Sequence, residues 1–149
     1  MTGKQKRIQK VIVHREKELD QRVVELGKAR VEAERAETAV ESERQRLAKA
    51  AAEREAMADQ PMSAGDWREA NEWLASRALS HQAVTRELEK AAAHVEKSQT
   101  NVLTARRALK GVELVEERLK TEERKAEERA DQKLSDAFAQ NIARGKNKS

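Results

Sequence analysis

His14, His81 and His94 are the residues of this sequence best suited to bind a metal or move a proton near neutral pH, and their spacing serves neither purpose. No two of them stand the about three to five residues apart that brings two imidazoles to one zinc ion, and there is no cysteine to complete a ligand set. Carboxylates account for 27 of the 149 residues. A carboxylate becomes a general acid or base only in a site that shifts its pKa and excludes water, and a helical surface offers no such site. No glycine-rich loop or nucleophile motif is present. The expected inventory is therefore no catalytic residue, no metal ligand, no cofactor and no small-molecule substrate, and the chain is read as a non-enzyme.

Composition indicates what carries these residues. Charged residues make up 39% of the chain and aromatics 2%, and alanine supplies much of the 38% that is hydrophobic. A rounded core is not expected from such material. One proline, five glycines and long runs of Ala, Glu, Lys, Leu and Arg favour helix, because these side chains lose little rotamer freedom there. No apolar run is long enough for a signal peptide or a membrane span, so a soluble, cytoplasmic protein is expected.

A single break, DQPMSAG at residues 59–65, holds the lone Pro61, and Ser63 with Asp66 three residues on is an N-cap arrangement. Before it Ile12, Leu19, Leu26, Ala33, Val40 and Leu47 recur every seven residues, beside a poorer series of Ile8, Arg15, Arg22, Ala29, Ala36, Glu43 and Ala50. After it one series runs Trp67, Leu74, His81, Leu88, Val95, Val102, Leu109, and the other runs Ala70, Arg77, Val84, Ala91, Ser98, Ala105, Val112, Leu119. The expected fold is all-α, a long two-helix antiparallel coiled-coil hairpin with unequal arms. Helix 1 is placed at about 4–58, the turn at about 59–65, helix 2 at about 64–142, and a basic tail at 143–149. A parallel or four-helix dimer of hairpins is the competing arrangement.

Folding back near Met62 sets residues whose numbers sum to roughly 124 face to face. Leu19 then meets Ala105, Leu26 meets Ser98, Ala29 meets Val95, Ala36 meets Leu88 and Ala50 meets Leu74, large against small as an interdigitated seam requires. The same register brings Glu43 towards His81. The arms, about 80 Å and about 120 Å long at the helical rise, do not match. From Thr121 onward the second helix is expected to have no partner, its EER repeats forming a solvated helix with local pairs such as Glu122 and Lys125. Leu134, Phe138 and Ile142, each four residues on from the last, make an apolar stripe on that charged helix.

The net charge is +4, with Lys4, Lys6, Arg7 and Lys10 near one terminus and Arg144, Lys146 and Lys148 near the other. Such tails suit a phosphate backbone, and a coiled-coil scaffold binding nucleic acid through them is the alternative from a different class. Against it, acidic residues interleave with basic ones along both arms and no aromatic stands among the terminal cations to stack on bases. An acidic protein surface is the more economical partner.

The C-terminal ADQKLSDAFAQ resembles the signature with which FliJ-type proteins of the bacterial flagellar type III export apparatus end, a DQK segment followed by Asp-x-Phe-Ala, here Asp136 to Ala139. The opening IQKVIVHREKELDQRVVELGKARVEAER is similar to their first heptads, and Trp67 soon after the break fits as well. The related injectisome stalk proteins share the architecture. The resemblance implies a stalk like the rotor shaft of rotary ATPases, which inserts the end bearing both termini into a hexameric export ATPase. It also implies contact with a membrane export gate and with export chaperones, and a place peripheral to the inner membrane export apparatus. On this chain the ATPase-docking residues would be Asp131, Gln132, Lys133, Leu134, Asp136, Phe138 and Ile142. Gate or chaperone contact would fall on Trp67, Trp73 and Val84, on a face that Arg77 and Ser80 leave only partly apolar.

Overall fold

The computed structural model describes residues 2–147, with the side chain of Asn147 outside the description. Two helices make up the fold, α1 (Gly3–Met57) and α2 (Ala64–Asn147), and the described residues include no strand. The second helix runs five residues past the expected end at 142, so Ala143–Asn147 of the basic tail are helical; Lys148 of that tail lies outside the described residues.

Each helix starts on a side-chain cap. Thr2 and Gln5 form a reciprocal capping box: the Gln5 amide donates to Thr2 Oγ1 and the Thr2 amide donates to Gln5 Oε1, both at 3.2 Å. Ser63 caps α2 as its sequence context implies, its Oγ accepting from the Asp66 amide at 3.1 Å, and Asp66 places a negative charge on the first turn. Between the helices, the amides of Ala58, Asp59 and Gln60 each reach the carbonyl three residues back before Pro61 ends the ladder.

The chain forms two contact units, one of Met1–Leu19 with Ala105–Ser149 and one of Asp20–Thr104. In the first, Thr2 and Gln5 meet Glu123, and Gln9 meets Glu116. In the second, Arg54 meets Asn71 and Glu43 meets Arg77. Within each unit, numbers rising on α1 pair with numbers falling on α2, which makes the packing antiparallel. The paired numbers sum to between 120 and 128, bracketing the register expected from the turn.

Every residue of the four heptad series is buried or half-buried. The core they make is thin: Ile12, Leu26, Ala29, Ala50, Val102 and Ala105 are its buried apolar members, and Ser98 is buried at 3% exposure. The register sets Ser98 opposite Leu26, so the small hydroxyl residue admits the larger side chain. Two helices leave each seam residue open on its flanks, and among the described residues no large side chain is completely enclosed.

Two polar expectations need correction. Glu43 pairs with Arg77 (3.6 Å) and with Arg46 one turn on (2.9 Å), not with His81. Arg77 is itself a seam residue and longer than His81, so it reaches the carboxylate first. The fully exposed stretch of α2 begins at Arg124 rather than Thr121, because Thr2 and Gln5 reach Glu123. Glu122 and Lys125, on either side of that boundary, form no ion pair within 4 Å; the nearest local pair on the charged stretch is Lys120 with Glu116, at 3.2 Å.

Candidate docking surfaces

In the first unit the seam changes character as it approaches Glu123. Gln5 continues the Ile12 series by one heptad, while Glu116 and Glu123 continue the Leu109 series by two. These polar residues meet: Gln5 Nε2 donates to Glu123, Gln9 Nε2 donates to Glu116, and Thr2 Oγ1 donates to Glu123 at 3.1 Å. One carboxylate thus holds both members of the α1 capping box. The heptad reading stopped at Leu109 because Glu is not an apolar seam residue; extending the count by position rather than by hydrophobicity would have found the clasp.

Past the clasp, all residues from Arg124 to Lys146 are exposed. Leu134 is 70% exposed, Phe138 69% and Ile142 48%, and their four-residue spacing keeps them on one face of α2. Of the polar residues expected beside them, Gln132 donates to Asp136 Oδ1 at 3.0 Å, one turn apart on the side away from the stripe. Asp131, seven residues before Phe138, lies on the stripe's own face and Lys133 lies away from it, and both are exposed. Lys4, Lys6, Arg7 and Lys10 on α1, and Arg144 and Lys146 on α2, are exposed as well.

In the second unit the two tryptophans part company. Trp67 keeps its seam position half-buried, with the Arg54 guanidinium 5.7 Å from its ring centroid. Trp73 is 55% exposed, and Arg77 lies over its ring at 4.7 Å. Val84 is half-buried in the seam, so it offers a partner less surface than Trp73 does. A groove of about 600 Å³ opens beside the turn, with Met57, Pro61, Met62 and Trp73 among its apolar lining. Glu53, Asp66 and Glu69 line it too. Nothing in the heptad pattern marked this groove; the signal was the charge of the stretch from Ala51 to Ser76, where six carboxylates face two arginines in a chain of net charge +4.

No group of three or more His, Asp or Glu side chains among the described residues is placed to hold a metal ion, and no described helix is long and apolar enough to cross a membrane. What the geometry offers a partner is surface: a bare amphipathic helix in one unit and a tryptophan-edged groove in the other. The class is that of an antiparallel two-helix coiled-coil protein with exposed apolar faces. Residues 4–148 match the family described as flagellar FliJ protein, and with essentially the whole chain matched, the protein belongs to that family. It is thereby a component of the flagellar protein export apparatus. Comparison with curated proteins and with solved structures returns no match.

Proposed function

We propose that the protein is a non-enzymatic stalk that binds and stimulates a hexameric export ATPase through the exposed part of α2, and that its tryptophan-bearing turn region links the ATPase to the export gate and to export chaperones. This places it in the cytoplasm, peripheral to the membrane export apparatus. The observation that carries the reading is the stripe of Leu134, Phe138 and Ile142 on a helix whose residues from Arg124 to Lys146 are all exposed. Apolar side chains at that spacing on an otherwise charged helix gain little inside the chain. Leu134 and Phe138 would each contribute about 1.5–3 kcal/mol when buried in a partner. Asp131, Lys133 and Asp136 would fix rotation of the helix in its seat, and Arg144 and Lys146 would speed encounter with an acidic lumen.

The test is the double substitution Leu134→Ala with Phe138→Ala. Both sites are exposed, so stability to urea should stay within about 0.5 kcal/mol of the parent, while stimulation of the export ATPase is abolished. Full stimulation by a folded double variant would remove the stripe from the docking surface.

A further inference from the structure

The groove beside the turn and the stripe on α2 are complementary in charge and in chemistry. The groove combines an apolar floor, Met57, Pro61, Met62 and the exposed Trp73, with the carboxylates of Glu53, Asp66 and Glu69. Its one lining cation, Arg54, is engaged: Nε donates to Asn71 Oδ1 and the guanidinium lies over Trp67. The surrounding stretch from Ala51 to Ser76 carries six carboxylates and two arginines. A ligand for this surface is an amphipathic segment with bulky apolar residues and a cationic margin.

The C-terminal part of α2 is such a segment. Phe138 and Ile142 lie one turn apart and exposed. From Ala137 to Asn147 there is no carboxylate, and Arg144 and Lys146 follow the stripe directly. Lys146, four residues past Ile142, continues the stripe's own side of the helix about one turn further on.

We propose that this surface of one copy takes the C-terminal helix of a second copy, Phe138 and Ile142 entering the groove against Met57, Met62 and Trp73, with Lys146 facing Glu69 and its neighbouring carboxylates. The contact is heterologous, one patch meeting a different patch, so it need not stop at a closed dimer. It covers the same stripe that the ATPase would take, and free protein would hold its docking helix masked until the ATPase displaces the second copy. The contact itself requires no ATPase and stands or falls on the purified chain alone, so its failure leaves the proposed ATPase docking untouched.

Sedimentation velocity on the full chain over a range of concentrations tests it. Association should rise with concentration and weaken as ionic strength goes from about 0.05 M to about 0.5 M. Phe138→Ala should weaken it about tenfold or more. Glu69→Lys and Lys146→Glu should each weaken it roughly fivefold to tenfold, and mixing those two variants should restore a contact between unlike chains. Because the chain has no cysteine, a chain bearing Glu69→Cys mixed under mild oxidation with a differently tagged chain bearing Lys146→Cys gives an independent readout, with the mixed disulfide expected to dominate over either homodimer. A chain that stays monomeric throughout the concentration range, association indifferent to both charge reversals, or disulfides dominated by the two homodimers would overturn the proposal.

Discussion

Replacing Glu43 and Arg77 by leucine, singly and together, tests how the seam tolerates charge. Their side chains are 12% and 21% exposed, and Arg77 Nη1 stands 3.6 Å from Glu43 Oε2, an ion pair too long for a hydrogen bond. Glu43 Oε2 and Arg77 Nε are buried without hydrogen-bond partners, while Glu43 Oε1 is bonded to Arg46 and the Arg77 guanidinium stacks on Trp73. Arg77→Leu removes a cation–π contact of about 0.5–1 kcal/mol and strands a buried carboxylate oxygen at a cost of about 1–3 kcal/mol. A net loss of roughly 2–3 kcal/mol follows, moderated by Arg46. Glu43→Leu leaves a guanidinium that still has Trp73, and should cost roughly 1–2 kcal/mol. With both replaced, no charge is left buried at this pair and two leucines join a seam that needs apolar volume, so the double variant should be neutral or more stable by about 1 kcal/mol. Urea unfolding followed by far-UV circular dichroism yields all four stabilities, and the coupling energy should exceed about 2 kcal/mol. Single costs that simply add in the double variant would refute the reasoning, since the two side chains would then be solvated independently.

Gly27 and Gly111 lie inside helices with nothing within 4 Å of a Cβ built on either; Gly27→Ala and Gly111→Ala should each stabilise by up to about 1 kcal/mol and raise the melting temperature by about 2–4 °C. Glu123→Ala releases Thr2 and Gln5 together, so amide exchange over the first turns of α1 should accelerate while the global unfolding midpoint hardly moves. Arg44 holds the Glu41 carboxyl below its usual range through a hydrogen bond and its charge. That contribution is present above the ordinary Glu pKa and lost as pH falls through the lowered one, so the melting-temperature gap between parent and Arg44→Ala should close on acidification.

The heptad series located the seam to the residue because burial between two helices depends on position alone: every predicted seam site is covered, including Arg15, Arg22, Glu43 and Arg77. The Ser63 cap was legible for a similar reason, being fixed by three residues of local chain. What a periodicity of apolar residues cannot rank is which polar side chain reaches which. Glu43 had His81 and Arg77 on the facing helix, and the choice fell to the longer, always-charged side chain with a tryptophan to rest on. The groove beside the turn was hidden for another reason: it joins residues from both sides of the break, and only a local charge count hinted at it.

The clasp at Glu116 and Glu123 also explains how the exposed stripe is kept apart from the seam. An apolar heptad continued past Leu119 would have made α2 adhesive along its whole exposed length, with no feature to set where a partner begins. Instead the seam passes from Leu109 and Val112 through Glu116 to Glu123, and the helix pair closes on hydrogen bonds from Thr2, Gln5 and Gln9. These bonds tie α1 down where it starts, and their net contribution to stability is modest. The next apolar residues large enough to anchor a partner are Leu134, Phe138 and Ile142, more than two turns beyond the clasp and with charged residues between. A polar boundary of this kind separates the seam that folds the chain from the exposed stripe, so a partner taking the stripe, as proposed, would come and go without disturbing the seam.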